Sequence, residues 1–220
     1  MKNETRRFGS LLKSRFIGSF ASLVVFIFIA PTLFLIFDNR IIINLLYLFI
    51  IGTSLYAVKQ SRKLVAFSIS FAVLGMSFQG LYFVNESTAA AVAGHSFLFL
   101  FYLSFVKTIV IDLLTLKTTS TDSLCEAVVG YLMIAAAFAE LYKVIYFTVP
   151  NAFSGLDGAG ALSYFSIVTL TTLGYGDILP SSPYAKSLVS FEAVTGVFYM
   201  AVLVSHLVSG IARNRESSDS

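Results

Sequence analysis

Long apolar runs separated by short polar clusters set the pattern of this chain. Six runs are long enough to cross a bilayer as helices: Phe16 to Phe37, Ile41 to Val58, Val65 to Val84, His95 to Leu116, Leu124 to Phe147, and Ser187 to Ile211. Asp38-Asn39-Arg40 closes the first run and Lys59-Gln60-Ser61-Arg62-Lys63 the second, so these two form a tight hairpin. Asn85-Glu86-Ser87 and a small-residue loop follow the third, and the fourth ends near Lys117. Between the fifth and sixth runs lies a different unit, from about Ala159 to Pro180. Its apolar, hydroxyl-rich part, Ala161 to Thr171, is too short to span but long enough for a helix that enters half-way, turns and leaves.

Composition turns this pattern into a class. Of 220 residues, 57% are hydrophobic and 12% charged, with a mean hydropathy of +0.84, against about 25% charged in soluble domains. The expected fold is an all-α integral membrane protein with six transmembrane helices plus a re-entrant helix and loop. The net charge of +3 does not form a nucleic-acid stripe. Eleven of the fifteen Lys and Arg residues lie before the first run, between the second and third, after the fourth, or after the sixth. Those four places share one side of the membrane, so the positive-inside rule puts both termini in the cytoplasm and the re-entrant loop at the outer mouth. Arg40, Lys143 and Lys186 fall toward the other side, and Lys107 lies inside the fourth run. Residues 1–15 read as a cytoplasmic segment, with 6–15 suited either to a short interfacial helix or to a flexible basic tail. The first run is too long for a signal-peptide core and is expected to stay as a membrane helix.

Catalytic chemistry finds little support. The single cysteine, Cys125, excludes an intrachain disulfide, and no zinc-ligand spacing or nucleophile, base and orienter set stands out. His95 and His206 stand alone and read as helix-end residues. The chain is expected not to be an enzyme, with no organic cofactor, no nucleic-acid partner and no soluble substrate.

Thr169-Leu-Thr-Thr-Leu-Gly-Tyr-Gly-Asp177 carries the distinctive chemistry. Stripping water from a potassium ion needs rings of oxygen dipoles, which backbone carbonyls supply without burying a full charge. Pointing successive carbonyls at one axis needs a backbone that alternates between ordinary conformations and conformations mostly open to Gly, and Gly174 and Gly176 occupy alternate positions. Thr172-Leu173-Gly174-Tyr175-Gly176 resembles the selectivity filter of the tetrameric potassium-channel superfamily, usually TVGYG, with Leu in place of Val. Asp177 and Pro180 extend the match.

The resemblance covers roughly Leu124 to Arg213 and implies a homotetramer among membrane lipids, in a plasma membrane, with an ion-binding filter of Thr172, Leu173, Gly174, Tyr175 and Gly176 that holds K+ via Thr172, Leu173, Gly174 and Tyr175. It also implies that the Tyr175 ring braces the filter against the pore helix, that Asp177 hydrogen-bonds behind the filter, and that Thr171 supports it. Val168 stands where some channels place a carboxylate that bonds the filter aspartate, so that brace is absent. Glu140 resembles a glutamate that ties the fifth helix to the pore turn; a local pair with Lys143 is the alternative. Glu192 is an ionisable residue inside a span, placed by the resemblance either behind the filter or near the cavity. Gly196 is a candidate gating hinge, or a close-packing residue.

Residues 16–117 resemble the voltage-gated family only in the number of spans. Steep voltage sensing needs several charges at about 2.3 kcal/mol per charge per 100 mV, and the fourth run holds only Lys107 with Asp112. The expected organisation is therefore a non-sensing four-helix domain (16–117), a pore domain (118–213) and a short tail (214–220) with no cytoplasmic domain after the gate. Two other readings are a weakly selective cation channel, because of Leu173, and a nonconducting or transporter-associated subunit.

Overall fold

The computed structural model describes residues 48–49, 51–53, 62–115 and 121–216. The expected interfacial segment, the first span and most of the second fall outside these residues, as do Lys117 and the last four positions. Five helices and two short strands follow in order: α1 (Arg62–Asn85), α2 (Thr88–Thr115), α3 (Thr121–Thr148), β1 (Phe153–Ser154), α4 (Ala161–Leu170), β2 (Leu179–Pro180) and α5 (Pro183–Glu216). Within α1, α2, α3 and α5, the stretches Val65–Asn85, Thr88–Asp112, Cys125–Thr148 and Pro183–Ser205 are long and apolar enough to cross a membrane, while α4 is too short. The protein is multi-pass, with α4 suspended between two membrane-length helices.

The element bounds correct the sequence reading in two places. The small-residue loop expected before His95 is helix, because α2 starts at Thr88 and takes in Ala89, Ala90 and Ala91. Alanine is the strongest helix former, and the Ala91 amide closes the first turn on the Ser87 carbonyl at 3.1 Å. Only Glu86, with φ 50°, and Ser87 separate α1 from α2. Likewise α5 begins at Pro183, four residues before the expected start. Proline suits the first helical position because its missing N–H would have no partner there, and the Ser182 hydroxyl caps the turn by accepting from the Ala185 amide at 3.1 Å.

The described chain divides into two units. The first includes 106–131 and the part of α5 from Tyr199 onward. Here the Tyr199 phenol donates to the Ala127 carbonyl at 2.7 Å and the ring lies over Gly130, where a Cβ would stand 2.5 Å from the Tyr199 hydroxyl. The expected functional residues Lys107 and Asp112 lie in this unit, Lys107 exposed and Asp112 half-buried.

The second unit, 60–105 with 132–198, holds the loop of interest. Phe71 and Phe78 pack on Phe97, and Leu98, Phe101, Tyr102 and Phe105 are buried. Gly75 lets α1 approach α2, since a Cβ there would meet the Leu98 side chain at 2.9 Å. Under α4, Tyr142, Phe153 and Phe165 form a mutual aromatic cluster with ring centroids 5.3 to 5.7 Å apart. The strands pair antiparallel, Phe153 with Pro180 and Ser154 with Leu179. They return the chain beside the segment that leads into α4. Gly155 makes this possible: its φ is +78° and a Cβ would fall 2.0 Å from the Asp177 carbonyl oxygen. The chain is thus pinned on both sides of the loop 171–177.

Candidate pore loop and its supports

The loop grows out of the C-terminal end of α4. Thr171 ends the helix with φ −80° and ψ 0°, its amide bonding the Ile167 carbonyl. The Thr172 amide bonds the Thr169 carbonyl at 2.9 Å, and the Val168 carbonyl accepts from both Leu173, at 3.0 Å, and Gly174, at 3.3 Å. Four consecutive amides are thereby directed back into the helix end, leaving carbonyls of the loop free to face elsewhere.

From Thr172 onward, left-handed residues alternate with ordinary ones: Thr172 at φ 58°, Gly174 at φ 57° and Gly176 at φ 79°. Glycine accepts this at no steric cost, as expected from the sequence. Thr172 does not, because a left-handed L-residue costs about 1–2 kcal/mol, and the bonds to Thr169 and Val168 hold it there. Such alternation is the backbone geometry that can line up several carbonyls along one direction, and it is suited to binding a dehydrated cation. All of 171–177 is exposed in the single chain; Leu173 is 56% exposed and Tyr175 67%.

The side chains around the loop are arranged as follows. The Thr171 hydroxyl bonds back to the Ile167 carbonyl at 2.7 Å, so it serves its own helix end. Val168 is buried and offers no polar side chain. The Tyr164 hydroxyl, one turn earlier, interacts electrostatically with the Asp177 carboxylate instead. Sequence reasoning missed Tyr164 because it lies on the same helix as Val168 but at a different position from the one the resemblance singles out.

Glu192 is fully buried and bonded to two elements: the Tyr142 phenol of α3 donates to Oε2, and the Ser166 hydroxyl of α4 pairs with Oε1. Ser166 also lies 2.7 Å from the Ala135 carbonyl of α3. Glu192 therefore stands against α3 and α4. Gly196, one turn further along α5, faces the last residue of α4. A Cβ there would stand 2.5 Å from the Leu170 carbonyl oxygen.

Glu140 belongs to a second buried cluster. Lys143 donates to Oε1 at 2.9 Å, and His95 Nδ1 stands 2.6 Å from Oε2. Gln79 lies 3.1 Å from the His95 ring nitrogens, and the ring stacks on Phe147 with centroids 5.7 Å apart. The local pair with Lys143 is therefore present and extended. It connects α3 to α2 and α1, with Glu140 1% and Lys143 5% exposed. The reading of His95 as an isolated helix-end residue is overturned: once α2 starts seven residues earlier, His95 sits two turns inside it, buried among polar partners. His206 lies in α5, and its side chain is outside the described residues. Gln79 is visible in the sequence as a polar residue of the third run but without its partner, and Ser166 did not stand out, since a lone amide or hydroxyl in an apolar run carries no signal of what it bonds. Among the described residues no cluster of His, Cys, Asp and Glu could hold a metal ion.

A half-crossing helix, a loop of alternating backbone handedness and a flanking helix on either side define the pore module of a membrane channel. The family described as Ion channel matches residues 125–213, from α3 to the end region of α5. Over 83 residues the chain is 36% identical to "Two-pore potassium channel 1" of Arabidopsis thaliana, covering 37% of this chain and 22% of the relative. It is 34% identical over 83 residues to "Inward rectifier potassium channel Kirbac3.1" of Paramagnetospirillum magnetotacticum, with 38% and 28% covered. It is 29% identical over 92 residues to "Potassium voltage-gated channel protein Shal" of Drosophila melanogaster, with 40% and 16% covered. The chain spans less than a third of the length of each of these relatives. No solved structure matches. Residues 125–213 thus match the ion-channel family, and over that module the chain is similar to potassium channels.

Proposed function

We propose that four copies of this chain form a potassium-selective channel in the plasma membrane, passing K+ down its gradient through a filter made by Thr172, Leu173, Gly174, Tyr175 and Gly176. The observation that carries this reading is the alternation of left-handed residues at 172, 174 and 176 within a Thr-Leu-Gly-Tyr-Gly sequence. The carbonyls of Thr172, Leu173, Gly174 and Tyr175, with the Thr172 hydroxyl, would replace the hydration shell of the ion. α4 aims its C-terminal, partly negative end the same way.

The tetramer is supported by what one chain leaves uncovered. Only 11% of the apolar window of α5 is buried, against 61% for that of α3, and Phe191 and Phe198 are 64% and 66% exposed. Leu173 and Tyr175 of the loop are exposed as well, so neighbouring copies would cover both the inner helix and the filter side chains and supply the brace for Tyr175. Six spans, cytoplasmic termini and an outer filter mouth follow from the apolar runs and the distribution of Lys and Arg. Weak voltage dependence follows from α2, whose basic complement between His95 and Thr115 is Lys107 alone.

The test is the reversal potential of purified protein in planar bilayers under opposed K+ and Na+ gradients, with Gly176→Ala as control. A reversal near the K+ equilibrium potential, lost in the control, is expected. A reversal near zero favours the weakly selective cation channel that Leu173 raises, and silence in both proteins favours the nonconducting subunit.

A further inference from the structure

Three oxygen-to-oxygen contacts run in series behind α4: Tyr142 Oη to Glu192 Oε2, Glu192 Oε1 to Ser166 Oγ, and Ser166 Oγ to the Ala135 carbonyl at 2.7 Å. Each needs one proton, because two oxygens at hydrogen-bond distance with none between them repel. Tyr142 supplies one and Ser166 supplies one. The Ala135 carbonyl can only accept. Were Glu192 a carboxylate, the single Ser166 proton would have to serve two acceptors at once.

We propose that Glu192 carries the third proton and works as an uncharged positioning residue, its acid O–H donating to Ser166 while Ser166 donates to the Ala135 carbonyl and Tyr142 donates to the acid carbonyl. Every polar atom in the series then has its partner. The burial agrees: Glu192 is 0% and Ser166 0% exposed, and the ion pairs among the described residues, Lys143 and His95 with Glu140, do not include Glu192. A buried carboxylate without a cation is costly, whereas a carboxylic acid with both oxygens bonded is not. The consequence is mechanical. The series joins α5 to α4 and α4 to α3 with no net charge beside a path for cations, and it fixes α4 one turn before the residues that set the loop.

The functional consequence rests on the channel reading, but the proton does not, so infrared spectroscopy separates the two. The difference spectrum of wild type minus Glu192→Gln, in lipid at neutral pH, is expected to show the carbonyl stretch of a protonated carboxylic acid, shifting in deuterium oxide. Loss of carboxylate bands instead would overturn the proposal. Tyr142→Phe gives an independent check. Removing the donor to the acid carbonyl is expected to move the same band to higher frequency, and an unmoved band counts against the series. For the positioning role, Glu192→Ala is expected to reduce K+ over Na+ preference and Glu192→Gln, which keeps one donor and one acceptor, to rescue it. Equal loss in both variants would show that the acid proton is not what the pore requires.

Discussion

Gly196→Ala separates two accounts of the same glycine. As a hinge, Gly196 matters for the bending of α5. As a point of close approach, it matters because a Cβ would stand 2.5 Å from the Leu170 carbonyl oxygen, 2.9 Å from Leu170 Cδ1 and 3.2 Å from Cγ. Ordinary contact begins near 3.4 Å, so the alanine methyl requires α5 and the end of α4 to separate by about 0.9 Å along that line. The side chain of Leu170 can rotate away; its carbonyl cannot, because it belongs to the helix end two residues before Thr172. Overpacking of this kind costs about 1–3 kcal/mol, while alanine in place of glycine inside a helix returns about 1 kcal/mol. The net effect on stability is therefore small, and the displacement falls where the loop begins. The expected outcome is a folded channel with diminished K+ over Na+ preference, read from the reversal potential, with open probability measured from single channels in the same bilayers. Val197→Gly is added as the decisive second change: Val197 is 57% exposed, and glycine there gives α5 a flexible position one residue on. If the double variant regains wild-type behaviour, flexibility was what mattered and the close-approach argument fails. If selectivity stays impaired, the contact with Leu170 is the function of Gly196.

Two further changes probe the supports. Lys143→Met removes one partner of a buried ion pair and leaves the Glu140 carboxylate with His95, which costs about 3–5 kcal/mol. A lowered unfolding temperature in detergent, largely recovered by adding Glu140→Gln, is expected, and an unchanged midpoint in the single variant would contradict the buried pair. Tyr164→Phe removes the hydroxyl that interacts with Asp177 and is expected to hasten the decline of current during sustained opening; a decay identical to wild type would mean that this interaction does not hold the loop.

The loop was legible because its chemistry is a backbone requirement written in side chains: alternate left-handed positions call for glycine, and 174 and 176 show it. Position 172 was not legible in that respect, since threonine gives no sign that a left-handed conformation will be imposed by amides bonding into α4. The helix limits were readable to within three residues for α1 and α3, while the start that Pro183 marks was missed by four. They failed at Thr88 because small residues signal a loop by composition and a helix by propensity, and here propensity prevailed. The buried polar clusters were hidden for a different reason. Gln79 and His95 are 16 residues apart, His95 and Glu140 are 45 apart, and Tyr142 and Glu192 are 50 apart. Each looks like an isolated polar residue in an apolar run until the helices are brought together. What the sequence did state was that an ionisable group in a span must find a partner, and both Glu140 and Glu192 have found one.

The two clusters also meet on one helix. Glu140 and Lys143 of α3 bond toward α1 and α2, while Tyr142, two residues from Glu140 and so about 200° around the helix, bonds toward α4 and α5. One turn of α3 is therefore fastened on opposite faces, to the preceding helices by charge and to the loop-bearing helices by neutral hydrogen bonds. The difference in kind follows from position. On the channel reading proposed above, a fixed charge beside the ion path would bind or repel the permeating ion, and the uncharged acid we propose, with the phenol and hydroxyl, holds the helices without doing either. On the far face that restriction is lifted, and the ion pair of Glu140 with Lys143 can serve. Among the described residues, this part of α3 carries polar bonds both to α2 and to α4 and α5.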